Sequence, residues 1–124
     1  DGGKNWKNMG LEKSEHISKI IINPKNSNVL WVASQGPLWS KGGQRGIYKS
    51  IDGGKTWIQT LGNNEWIGAT DLIIDPRNPD ILYAATWQRH RTVAGYMGGG
   101  PGTGIYKSND GGDTWLYLEN TSLI

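Results

Sequence analysis

Cysteine and phenylalanine are both absent from the 124-residue sequence. The first absence excludes a disulfide framework and a thiolate-bound metal. The second leaves seven Trp and five Tyr as the large rings available to a core. No apolar run approaches the roughly 20 residues that a membrane-crossing helix needs, so no membrane insertion is expected. Charge of one sign is not in excess either. The 13 Lys and Arg face 11 Asp and Glu, a formal charge of +2, which is too even to argue for a nucleic acid or an anionic membrane as partner. What the chain does have is 19 Gly beside many Ile, Val, Thr and aromatic residues. That mixture describes short extended segments joined by tight turns, and an all-β fold is the expectation.

Self-similarity organises the rest. The stretch Gly46-Ile47-Tyr48-Lys49-Ser50-Ile51-Asp52-Gly53-Gly54-Lys55-Thr56-Trp57 returns 58 residues later as Gly104-Ile105-Tyr106-Lys107-Ser108-Asn109-Asp110-Gly111-Gly112-Asp113-Thr114-Trp115. A partial copy, Asp1-Gly2-Gly3-Lys4-Asn5-Trp6, precedes Asp52 by 51 residues. Upstream of each full copy, Lys19–Pro24 and Asn28–Ala33 match Asp71–Pro76 and Asp80–Ala85 at an offset of 52, so the six extra residues fall in 87–103. Each unit predicts four strands: about 17–23, 29–35, 46–51 and 56–61, then about 69–75, 81–87, 104–109 and 114–119. The first two of each unit are nearly continuous apolar runs, expected of strands covered on both faces, and the last two alternate. Asn23-Pro24 and Asp75-Pro76 mark the turns between first and second strands.

A four-stranded antiparallel unit repeating every 50-odd residues predicts a partial β-propeller. It has a remnant of a preceding blade in 1–16, one blade in 17–61 and a second blade with a longer glycine-rich loop in 62–124. Two blades and a remnant do not close a ring of about 4–8. The remaining blades of a longer parent polypeptide, or neighbouring chains, are therefore expected partners.

The repeated Ser-X-Asp-X-Gly-X-Thr-Trp comprises Ser50, Asp52, Gly54, Thr56 and Trp57, and again Ser108, Asp110, Gly112, Thr114 and Trp115. An Asp carboxylate here can accept backbone N–H groups of its own turn, Gly supplies positive φ, Thr ties the returning strand, and Trp covers the hairpin. This is a folding device. Reading Asp52 and Asp110 as catalytic or calcium-binding carboxylates needs further convergent oxygens where glycines stand. No metal and no cofactor are expected. The motif resembles the Asp box of the bacterial neuraminidase repeat.

Antiparallel connections alternate ends, so these turns share an end with the Asn23-Pro24 and Asp75-Pro76 turns. The opposite end carries the less alike loops 36–45 and 88–103 and the connections 8–16 and 62–68, where binding groups are expected. Candidates for ligand contact are Trp39, Trp66, Trp87, Arg89, His90, Arg91 and Tyr96, since aromatic and guanidinium groups stack on sugars or clamp carboxylates. Packing against a neighbouring blade is the competing use of Trp39, and a solvated strand end that of 87–91. The glycines of 98–102 are not followed by the Lys-Ser/Thr of a phosphate loop. Glu15, beside His16, and Glu65 are candidates for an acid/base pair. Lys19 and Asp71, equivalent in the repeat, are expected to form an ion pair between blades.

Across nearly its whole length the chain is similar to secreted proteins with Asp-box propellers, particularly large bacterial proteins of the sortilin-type propeller. The residues that carry this are Ile74-Asp75-Pro76-Arg77-Asn78-Pro79-Asp80, Ala33-Ser34-Gln35-Gly36-Pro37-Leu38-Trp39, and Gly-Ile-Tyr-Lys-Ser before both turns. The resemblance implies an extracellular, periplasmic or cell-surface protein whose propeller is a scaffold binding a protein, peptide or glycan. The same blade grammar occurs in xyloglucan hydrolases and sialidases, so part of a glycoside hydrolase is the alternative. A purely structural cell-surface module is another. No sialidase-like arginine motif accompanies Arg45, Arg89 and Arg91.

Overall fold

A computed structural model describes residues 1–62, 64–88, 90–91, 95–97, 100 and 102–118. The first sheet contains β1 (Ile17–Ile22), β2 (Leu30–Ser34), β3 (Gly46–Ser50) and β4 (Ile58–Leu61) in the order β1-β2-β3-β4. In the second unit, β5 (Ile67–Asp75) and β6 (Asn78–Gln88) are followed by two short strands, β7 (His90–Arg91) and β8 (Tyr96–Met97). Then come β9 (Gly104–Ser108) and β10 (Leu116–Tyr117), and the second sheet runs β10-β9-β6-β5. All pairings are antiparallel, and no helix occurs among the described residues. The chain is all-β, with two equivalent four-stranded sheets, as its repeats predict.

Three departures from the sequence reading have local causes. β6 begins at Asn78 rather than near 81, because the Asp75 carboxylate closes a tight turn: it accepts the Arg77 N–H at 2.8 Å, and Asp75 then pairs with Asn78. β4 and β10 are shorter than expected, because Thr56 and Thr114 are held by the turns before them. The segment 87–103, where the six extra residues of the second unit fall, carries the antiparallel pair β7 and β8 rather than a plain loop.

The core lies between the sheets. Trp31, Ala33 and Ile47 of the first sheet meet Ala69, Leu72, Leu82 and Ala84 of the second, all buried, with Ile21, Ile74 and Trp115 around them. β1 packs beside β5, which has one sharp steric requirement. A Cβ on Gly68 would stand 2.3 Å from the Gln35 carbonyl oxygen, so only glycine lets β5 approach the end of β2. β1 itself is not covered on both faces: Ile20 and Ile22 are 59% and 57% exposed. Its apolar run is suited to a neighbour on the side away from β5.

Candidate functional site

The two Ser-X-Asp turns are built alike. Asp52 accepts the Ser50 hydroxyl at 2.8 Å, the Thr56 N–H at 2.9 Å and the Thr56 hydroxyl at 2.5 Å, while Ser50 Oγ accepts the Gly54 N–H at 2.8 Å. Asp110 repeats this with Ser108 and Thr114 at the same distances, and Ser108 Oγ takes the Gly112 N–H. Gly54 and Gly112 have φ of 90° and 81°, which non-glycine residues adopt only with strain. The hydrogen bonds from Thr56 first, then from Ser50, hold the Asp52 carboxyl at a pKa of about 2, and those from Thr114 and Ser108 do the same for Asp110. A carboxylate so occupied is a poor proton carrier near neutral pH. The partial copy keeps part of this design, with Asn5 Nδ2 donating to Asp1 at 2.8 Å.

The tryptophans do more than cover their hairpins. Trp115 Nε1 donates to Thr60 Oγ1 of β4 at 3.1 Å, and Trp57 Nε1 donates to the Met9 carbonyl at 2.8 Å. Met9 and Thr60 are 51 residues apart, the spacing of Asp1 and Asp52, so each indole grips the same position of the preceding unit. In the other direction Trp31 Nε1 donates to the Gly111 carbonyl at 2.9 Å, and Lys49 pairs with Asp113 at 2.8 Å while lying over the Trp31 ring. Each turn is thus a clamp between units. The ion pair expected between Lys19 and Asp71 is not formed. Both residues are exposed and stand where β-bulges shift the register, and Asp71 accepts the N–H of Leu72. The residue turned inward beside Lys19 is Ser18, whose hydroxyl donates to the Ala69 carbonyl at 2.9 Å.

The opposite end gathers the loops. Gly42 N–H donates to the Glu65 carbonyl at 2.8 Å, Lys41 and Glu65 stand 4.0 Å apart, and His16 Nδ1 is 3.2 Å from the Gly36 carbonyl. The group that shapes this end is Arg45, 4% exposed. Its guanidinium donates to four carbonyls: Gly42 at 2.7 Å, Gln35 at 2.9 Å, Pro37 at 2.5 Å and Ser40 at 2.6 Å. The loop 35–45 is wrapped around one cation, whose pKa burial lowers and the charge of Glu15 raises. From the sequence Arg45 stands out only for lacking the arginine motif of a sialidase. The usable signal is the closely spaced glycines of 36–46, which free carbonyls to converge on a single donor.

On this frame Trp39 is 62% exposed, while Trp66 and Trp87 are half-buried. Trp87 shares a small recess with Pro37, Leu38, Arg45 and Thr70. Trp39, Trp66 and Trp87 therefore lie at one end, opposite the Ser-X-Asp turns. His90, Arg91 and Tyr96 belong to the β7–β8 hairpin, where His90 pairs with Met97 and Arg91 with Tyr96; their side chains and Arg89 lie outside the described residues. Glu15 and Glu65 are both exposed, Glu15 in a left-handed backbone conformation with φ of 56°. No cluster of three or more His, Asp or Glu able to hold a metal occurs among the described residues.

Two four-stranded antiparallel sheets, stacked face to face and repeated in sequence, define a segment of a β-propeller. Known structures agree. An ancestral GH74 enzyme superposes with a TM-score of 0.57 at 18% identity over 83% of this chain, and the GH74 enzyme of Niastella koreensis with 0.54 at 22% identity over 88%. This chain spans only 12% and 15% of those two proteins. At such identities the likeness is one of fold. No family model and no curated protein matches the sequence.

Proposed function

We propose that the chain is two consecutive blades of an exported Asp-box propeller of the sortilin-like kind, and that its loop-bearing end binds a protein, peptide or glycan. The observation that carries this reading is the Arg45-centred loop. A buried cation holding four carbonyls fixes the loop from which Trp39 is displayed, at the end of the fold that also carries Trp66 and Trp87. A rigid frame lowers the ordering cost of a contact. The carboxylates at the other end are consumed in their own turns, which favours a structural role there. An extracellular, periplasmic or cell-surface location follows from the same resemblance.

The test is a titration of the chain with soluble xyloglucan, sialyllactose and a panel of extended peptides, read by tryptophan fluorescence and calorimetry. Binding by one class, weakened at least 10-fold by Trp39→Ala together with Trp87→Ala, is the expected result. Binding untouched by that pair, or none by any class, contradicts the proposal.

The GH74 neighbours favour a second reading, part of a glycoside hydrolase, with Glu15 or Glu65 supplying one carboxyl. Retaining chemistry requires a partner carboxyl about 5–5.5 Å away and inverting chemistry about 6.5–9.5 Å. Glu65 is instead directed to Lys41. Hydrolysis of xyloglucan that is abolished by Glu65→Gln would establish this second reading.

A further inference from the structure

The two sheets differ in how their equivalent faces are covered. On the first sheet, the face toward the second is buried, with Ile47 at 0% and Trp31 at 1% exposure. At the same repeat positions on the far face of the second sheet, Ile105 is 41% exposed and Tyr83 only half-buried. Ile73 of β5, on that same face, is 55% exposed. The charges repeat the pattern. Lys49 lies 5.9 Å from the Trp31 ring and pairs with Asp113 of the next unit's turn. Lys107 lies 5.6 Å from the Tyr83 ring in the same way, yet among the described residues no carboxylate forms an ion pair with it.

We propose that the far face of β6 and β9 is a docking surface for a further four-stranded sheet whose Ser-X-Asp turn has the form Asp-Gly-Gly-acid. The acid pairs with Lys107 as Asp113 pairs with Lys49, and the first glycine's carbonyl accepts from the Tyr83 hydroxyl as Gly111 accepts from Trp31. The inference rests on the two-sheet fold and is independent of what the loop end binds. A second copy of this chain is a poor occupant for two reasons. The turn of its first sheet carries Lys55 where the second carries Asp113, so two ammonium groups would oppose each other. The place beside its Trp57 that β10 would have to fill is already taken by the segment around Met9. Neighbour-by-neighbour stacking, with the interface read by one charge, is how a repeat array keeps its units in order.

The experiment extends this chain after Leu118 with a second copy of residues 61–118, which places an Asp-Gly-Gly-Asp turn in the register of the repeat. Relative to the unextended chain, the urea midpoint is expected to rise and the Ile105 amide to exchange at least 10-fold more slowly. Asp113→Lys confined to the appended copy should remove at least half of the midpoint gain, and adding Lys107→Asp in the first copy should restore it. An unchanged midpoint with unchanged exchange at Ile105 overturns the proposal, as does a gain insensitive to both charge changes. Sedimentation velocity of the unextended chain is expected to give a monomer. A concentration-dependent dimer strengthened or lost with Lys107→Asp would make a second copy the occupant and overturn the proposal.

Discussion

At the scale of single residues, the carboxylates of the two turns and the guanidinium of Arg45 do opposite work. Asp52 and Asp110 have folded pKa values of about 2, below the unfolded value of roughly 3.9. A depressed pKa contributes stability that is fully present above the unfolded value and is lost as pH falls through the folded one. Stability is therefore expected to drop between about pH 4 and pH 2, with Asp75, lowered by Arg77, adding to the loss. Asp52→Asn with Asp110→Asn should flatten that drop in urea midpoints measured against pH; an unaltered profile would show that other groups cause it. Arg45→Met removes the donor shared by four carbonyls and is expected to cost about 3 kcal/mol in urea unfolding, in line with breaking a buried charged cluster. A cost under about 0.5 kcal/mol, typical of a plain surface change, would mean that the loop 35–45 is held by something else.

Individual elements show why the strands were legible and their bounds less so. β2 and β3, with Val-, Trp-, Ile- and Tyr-rich cores between glycines and turn residues, lie where periodicity places them. The motif's Asp, Gly and Thr are readable because they act on their own turn, within four residues. Trp31, Trp57 and Trp115 act across units, on partners 48 to 80 residues away, and no local pattern encodes that. The role of Arg45 is hard to read for a related reason. Its partners are backbone carbonyls, which every sequence has, so the closely spaced glycines of 36–46 are the one trace of their convergence that the sequence carries. The Lys19–Asp71 pairing failed because two bulges displace both residues, and a bulge leaves no clear mark in an apolar run. The stacked arrangement makes a paired expectation at this scale. Ile47→Ala, at the seam, should cost about 2–5 kcal/mol and Ile105→Ala, its repeat equivalent on the open face, less than half as much. Equal costs would mean that the sheets do not stack through β3.

For the molecule as a whole, the seam between the sheets is the core, and the faces beyond it are apolar but open. Sheet order, turn placement and the segregation of loops to one end all follow from the 50-odd-residue repeat. The chemistry of the loop end does not follow, because one fold serves many chemistries. The central claim is that the two sheets pack face to face with Trp31 sealed between them and its N–H committed to the Gly111 carbonyl. The most direct measurement is hydrogen exchange of the indole N–H groups by heteronuclear NMR, with Trp6, 89% exposed, as internal reference. This packing predicts that the Trp31 indole exchanges at least 1,000-fold more slowly than that of Trp6, on the order expected for opening a buried seam worth 4 kcal/mol or more. Equal exchange at both indoles would contradict it.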